Sequence, residues 1–168
     1  MVVTAALVVG LVAGGCFSGD RPSPPSPLHQ TFPSPDALSH AVLAALADED
    51  AGYLASLALS ELEFRTVVWP ELPSSRPERG LPFDYVWGDL NQKSTNALRR
   101  LVARHGGRRY TLRAVAFRGE TTPYETYRVH REAILDLLDD EGNELTLPFF
   151  GSVLERGGEF KLFSYVVD

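Results

Sequence analysis

The sequence predicts an α+β domain, with helices first and an antiparallel sheet after them. Two observations carry this. From Ser34 to about residue 105 the apolar residues recur at helical spacing, and beyond Gly107 the period falls to two. Turn-forming clusters then cut the second half into four segments of strand length, the pattern of a four-stranded meander.

Ser34 is placed to cap the first helix, Pro35 suits its first position, and Asp36 meets the positive end of its dipole. Leu38, Val42, Ala45 and Leu46 form its apolar face, and the acidic DED at 48–50 ends it. Tyr53, Leu54, Leu57 and Leu59 mark a second, short helix. Ser60 with Glu63 three residues on is a capping box that opens a third, closed by Pro70 and Pro73. A loop of Pro, Ser and Arg at 73–82 precedes the longest helix, 83–105, which Gly106 and Gly107 stop. The strands follow as RYTLRAVAF (109–117), YETYRVHREAILDLL (124–138), ELTLPFFGSVLE (144–155) and EFKLFSYVVD (159–168). The last two are joined by an Arg-Gly-Gly turn.

Residues 1–15 carry no charge, and their apolar run from Val2 to Ala13 is 12 residues long. A helix that crosses a bilayer needs about 20, whereas 12 suits the core of a signal peptide. Ala13-Gly14-Gly15 ahead of Cys16 resembles the bacterial lipobox, although Ala13 stands where leucine is commoner and no Lys or Arg precedes the run. That resemblance implies cleavage before Cys16 and lipidation of its sulfur. Six of the 14 residues from Pro22 to Pro35 are proline, which favours an extended, stiff spacer. The expected organisation is a lipoprotein signal peptide at 1–15, lipidated Cys16 and spacer at 16–33, and one α+β domain at 34–168. Such a chain lies in a bacterial cell envelope, held to the membrane by lipid, with its domain outside the cytoplasm.

The 168 residues carry 16 basic and 22 acidic side chains, a net charge of −6. That balance argues against a nucleic-acid partner. Arg99, Arg100, Arg104, Arg108 and Arg109 cluster where the longest helix ends, and there cations complement the helix dipole. Cys16 is the only cysteine, so neither a disulfide nor a thiolate metal site is expected. His29, His40 and His105 show no zinc spacing, and DDEGNE at 139–144 lacks the ligand spacing of a calcium loop. No phosphate-binding glycine loop or nucleophile elbow is present, and no cofactor is implied.

The stretch ALSHAVLAALADEDAGYLASLAL and the closing hairpin ending in FKLFSYVVD are similar to the two ends of nuclear transport factor 2-like (cystatin-like α+β) domains. The resemblance implies a curved sheet of about four strands that wraps the helices into a cone. Residues 60–105 hold more helix than that fold usually has. Within it, the chain looks most like bacterial envelope lipoproteins. Polyketide cyclase and ketosteroid isomerase relatives of this fold place a His or carboxylate base inside the cone, and the residues here that could serve are His130 and Asp84.

At period two Arg128, His130 and Glu132 share one face, while Tyr127, Val129, Ala133 and Leu135 share the apolar one. The apolar face should meet the helices, leaving His130 outside. Trp69, Tyr85 and Trp87, with Asp84 and Asp89, could line a pocket mouth; alternatively the rings close the core and the acids cap the helix. In the last strand Phe163, Tyr165 and Val167 oppose Phe160, Leu162 and Val166, so both faces are apolar. Helices cover one side of a single sheet, unless 60–72 folds across the back. Phe163 and Tyr165 are therefore expected in an exposed patch open to a second copy or an envelope partner. The expected function is a lipid-anchored, non-catalytic envelope domain that binds a small apolar ligand or a protein partner. The alternative is a cyclase- or isomerase-type enzyme.

Overall fold

The computed structural model describes residues 28–167. Its helices start where their caps predict. In α1 (Pro35–Ala47) the Ser34 side chain accepts the N–H of Ala37 at 3.1 Å, and in α2 (Ala51–Leu57) that of Asp50 accepts the N–H of Tyr53 at 2.8 Å. The capping box opens α3 (Glu61–Glu63) with both of its bonds made. The expected third helix does not stay regular. Its turn widens at Phe64–Val68, where Trp69 N–H reaches the Phe64 carbonyl, and it tightens at Trp69–Glu71. Pro70 has no N–H with which to carry the α-helical ladder further. The long α4 (Phe83–His105) ends at Gly106, and Gly107 donates to the Leu46 carbonyl at the end of α1.

The α+β expectation holds: helices lie N-terminal to antiparallel sheet. The four expected strands are present as a meander, but the two middle ones are each broken. With a further two-residue strand between the first two expected ones, seven result: β1 (Thr111–Phe117), β2 (Thr122–Pro123), β3 (Arg128–Arg131), β4 (Ala133–Leu138), β5 (Glu144–Leu147), β6 (Ser152–Arg156) and β7 (Glu159–Ser164). They form two sheets, β1-β4-β5 and β2-β3-β6-β7. The seam lies at Glu132, whose φ of 54° is left-handed, and at 148–151 on the neighbouring strand. Backbone bonds cross the seam from Ala133 N–H to the Gly151 carbonyl (3.0 Å) and from Gly151 N–H to that of Ser164 (3.3 Å). At Gly151 a Cβ would fall 1.5 Å from the Val166 carbonyl oxygen, so only glycine permits this approach.

The break at Glu132 changes which residues share a face. With one residue out of the pleat, the alternation slips by one. His130 lies opposite Val153, which lies opposite Leu162, and these two are buried with Ala133, Leu135 and Leu137 against α1. Val129 and Leu154 point the other way, into a second core with Phe64, Val67 and Val68. Arg128, His130 and Glu132 therefore do not form one continuous outer face as expected. Two cores result, one on each side of β3, β6 and β7.

The second core exists because 60–72 does fold across the back of the sheet. Its Phe64 ring meets Phe163 edge-on at 6.4 Å. Tyr165 is 2% exposed and its hydroxyl donates to the Leu54 carbonyl at 2.6 Å. Phe163 is half-buried and Tyr165 fully so, and both are packed within the chain rather than in the exposed patch expected. The physical reason is that the back of the sheet is already occupied.

Residues 28–32, expected in the spacer, belong to the domain. Phe32 and Phe160 exchange two backbone hydrogen bonds of 2.8 Å, and His29 N–H donates to Glu63 Oε1 at 2.7 Å. Beneath them lies a buried ion pair. Lys161 is 1% exposed, and its Nζ donates to the His29 carbonyl at 2.7 Å and lies 3.5 Å from Glu63 Oε1. Burial alone would raise the Glu63 carboxyl, but the N–H groups of Ser60 and His29, the Ser60 hydroxyl and the Lys161 charge together hold it below its ordinary value. Burial pushes the Lys161 ammonium down, against the opposing pull of Glu63.

Removing one partner leaves the other charge buried and unmatched, so Glu63→Gln is expected to destabilise the fold by about 3 kcal/mol or more at pH 7. The Glu63 carboxyl is depressed in the folded state, so its contribution is present above the unfolded carboxylate value and is lost as pH falls through the folded one. Urea unfolding of the unaltered chain should weaken on acidification below about pH 4.5, and the variant should show less of that fall. A loss under about 1 kcal/mol at pH 7 would refute a structural role for the pair.

Candidate functional site

The site is built on α4. This 23-residue helix lies across β7 and fully buries only Leu98 and Leu101. The rest of its inner face, Phe83, Val86, Trp87 and Leu90 above all, is half-buried. Leu90 touches the sheet at Phe163, and a groove runs along the helix on each side of that contact.

One groove, between α2 and α4, is narrow, about 80 Å³, with Ala58, Leu59, Trp87, Leu98 and Tyr165 among its walls. Of its polar side chains, Ser94 is engaged within the chain: its Oγ accepts the N–H of Tyr165 at 3.0 Å. The other groove holds about 310 Å³. Its floor is apolar, made by Phe64, Leu72, Val86, Leu90, Phe163 and Val166. Its rim is polar, with Arg131 on one side and the Asp89–Lys93 ion pair (2.7 Å) on the other. Ser152 and Ser164 supply hydroxyls from β6 and β7. An apolar floor with a few polar groups at its edge is the usual make-up of a small-molecule site, and this volume is at the small end of that class.

The aromatic residues singled out from the sequence fall into three different places. Trp87 packs on Phe64, ring centroids 5.3 Å apart, and faces the narrow groove. Trp69 is half-buried and meets Phe83 edge-on at 5.5 Å, where it closes the second core and lines neither groove. Tyr85 is 66% exposed and faces solvent. Asp84, proposed from the sequence as a base, has a side chain 91% exposed and 3.5 Å from Arg65. Arg65 in turn stacks over Phe83 at 3.6 Å. Asp84 is thus part of a surface charge pair beside the grooves, away from their floors.

His130 is neither in water nor beside Glu132. Its ring lies between Phe117, 5.0 Å away, and Phe160, 6.1 Å away. Nε2 is 2.8 Å from Glu155 Oε2 and Nδ1 is 3.1 Å from Thr121 Oγ1. Glu155 also lies 3.8 Å from Arg128. The order hydroxyl, imidazole, carboxylate is the one that activates a nucleophile. Here, however, both ring nitrogens are engaged, and the hydroxyl belongs to the turn at 118–121 on the outside of the sheet. A base that acts on a substrate needs one nitrogen facing it. Sequence reasoning missed Glu155 and Thr121 because one comes from the neighbouring strand and the other from the turn before β2. Strand register is the signal that would have found Glu155, since it places Glu155 opposite Arg128, diagonal to His130.

Among the described residues no cluster of three or more His, Cys, Asp or Glu is placed to hold a metal ion. The lipidation candidate Cys16 lies outside the described residues.

Tyr165, in the wall of the narrow groove, and Tyr85, in solvent, differ in burial, and this is testable. Tyr165→Phe leaves the Leu54 carbonyl without its donor and is expected to cost about 1–2 kcal/mol in urea unfolding. Tyr85→Phe, at an exposed ring, should change stability by no more than about 0.5 kcal/mol. Equal effects would contradict the placement of Tyr165. No family model, curated protein or solved structure matches the chain.

Proposed function

We propose that the chain is a lipid-anchored domain of a bacterial cell envelope that binds a small apolar ligand and catalyses no reaction. The observation that carries the binding half is the groove of about 310 Å³ beside α4, with its floor of six apolar side chains and its polar rim. The anchoring half rests on the lipobox-like AGGC and the proline-rich segment after it. No helix among the described residues is long and apolar enough to cross a membrane. The resemblance to nuclear transport factor 2-like domains is part of this reading, and its support in the fold is the order of helices followed by antiparallel sheet. Leu135, Phe150, Val153 and Leu162, all 0% exposed, fill the core between α1 and the sheets, and the groove lies outside that core. A protein partner or a second copy is the other occupant this groove could take.

Anchoring is tested by detergent partition. The unaltered chain should enter the detergent phase when produced in a bacterial host, and Cys16→Ser should shift it to the aqueous phase. Each buried methylene contributes about 0.8 kcal/mol, so two or three acyl chains hold it firmly. A Cys16→Ser variant that stays fully in the detergent phase would refute lipidation at this residue.

Ligand binding is tested with 1-decanol, followed by the fluorescence of the two tryptophans. Saturable binding is expected. Val86→Asp, which sets a charge into the groove wall at a half-exposed position, should weaken it at least tenfold while the melting temperature stays within a few degrees. Binding that is non-saturable, or unchanged in the variant, would overturn the groove as the site.

A further inference from the structure

The groove beside α4 has two cations at its rim, Lys93 and Arg131. Lys93 is matched at 2.7 Å by Asp89, one turn back on α4. Arg131 has no such match: among the described residues it forms no ion pair, in a chain with 22 acidic residues. The acids of the elements around it are engaged elsewhere or turned aside. Glu132, next in the chain, lies in the left-handed turn at the seam, with its side chain against Gly119, where an added Cβ would meet it at 3.1 Å. Glu120, in the turn before β2, is exposed and forms no ion pair with Arg131. Glu71 accepts from the N–H and the hydroxyl of Thr126, and Asp84 pairs with Arg65. The Arg131 side chain is itself held in place, since its Nε donates to Thr122 Oγ1 at 3.2 Å. Among the described residues its two terminal nitrogens make no hydrogen bond, so one edge of the guanidinium fork is open.

We propose that the ligand of this groove is a single-chain amphiphile with a carboxylate head, of the fatty-acid kind, its head on Arg131 and its chain along the apolar floor. The inference rests on the reading of this groove as a ligand site and names what that ligand must carry. A guanidinium fork matches the two oxygens of a carboxylate. Ser152 lies directly opposite Arg131, so its hydroxyl stands beside the same head, with the two Cβ atoms about 5 Å apart. One unmatched cation balances one negative charge, which favours a carboxylate over a doubly charged phosphate. From β3 across β6 to Phe163 on β7 is two strand spacings, about 10 Å in all, and Val86 and Leu90 of α4 border the same floor. The groove thus has a charged end and an apolar run of the length of a medium alkyl chain. Its volume of about 310 Å³ takes one such chain and leaves no room for the second chain of a membrane lipid. A peptide carboxylate would set backbone N–H and C=O groups on a floor whose six side chains offer them carbon.

The test uses the full chain carrying Cys16→Ser, so that no acyl group of its own competes for the groove. Decanoate, 1-decanol and decyltrimethylammonium set different heads on one tail. Their binding is followed by tryptophan fluorescence at low salt and about pH 8, where the carboxylate is ionised. Trp87 reports on the floor, since it packs on Phe64. Decanoate should bind about fivefold more tightly than 1-decanol, the equivalent of about 1 kcal/mol for a well-formed exposed pair. The cation should bind most weakly. Arg131→Gln should erase the preference for decanoate and leave both 1-decanol binding and the melting temperature unchanged. Saturable binding of 1-decanol with decanoate no tighter would overturn the carboxylate inference while the groove stands as an apolar site. Failure of both to bind saturably would overturn the groove as well. An Arg131→Gln variant that keeps the preference, or that loses 1-decanol to the same degree as decanoate, would overturn the placing of the head at Arg131. The ratio of decanoate to 1-decanol is read with Arg131 in place, so it decides the head-group question even where the variant does not fold.

Discussion

A lysine ammonium cut off from water must find oxygen on every side, and the fold of this chain is arranged around that demand. Lys161 sits in the middle of β7 with its charge 3.5 Å from Glu63, and its closest acceptor is the backbone carbonyl of His29. Ser56 at the end of α2 offers a further carbonyl at 3.5 Å. Glu63 is fixed as the first residues of α3 are capped, since one carboxylate serves the capping box, the His29 N–H and the ammonium. The entry segment, α2, α3 and β7 are therefore specified together. A shift of any one would leave a buried polar group unmatched, at a cost larger than most single contacts contribute.

The same choice at Lys161 accounts for the second core. Lys161 is on the Val129–Leu154 side of the sheet, where a bare face would have let the ammonium reach water. The back of the sheet is instead closed by Phe64, Val67 and Val68. Those residues follow directly from Glu63, so the helix that supplies the counter-charge also supplies the cover. The widened turn at Phe64–Val68 lets this segment hug the sheet before Pro70 redirects it toward α4.

Much of this was legible in the sequence. Ser34, Asp50 and the Ser60–Glu63 box cap helices as their residue types dictate, and the switch from period 3.6 to period 2 marks the sheet correctly. What was not legible depends on contacts between distant segments. Nothing local in YETYRVHREAILDLL shows that Glu132 leaves the pleat; the left-handed turn there is imposed by pairing with strands on both sides. Once that residue is misassigned, His130 is placed on the wrong face. Lys161 reads as the outward member of an alternating strand, because burial of its partner Glu63 is decided 98 positions earlier in the chain. Of the two grooves, Trp87 was singled out as a pocket residue through its aromatic character and Phe163 only as a member of an exposed patch, whereas Leu72, Val86 and Leu90 look like ordinary core residues until α4 is seen to sit high on β7.

The attachment of residues 28–32 has a mechanical meaning. A pull directed through the N-terminal segment does not first reach a helix end, where turns fray one at a time. It meets the paired Phe32–Phe160 bonds and the grip of Lys161 and Glu63 on His29, which must break nearly together. Force is thus delivered in parallel to β7, a strand paired with β6 and buried at Leu162 on one face and Lys161 on the other. A domain loaded in this way resists until several bonds fail at once and then yields abruptly. A fastening that yields only in this manner suits a chain tugged from its N-terminal side.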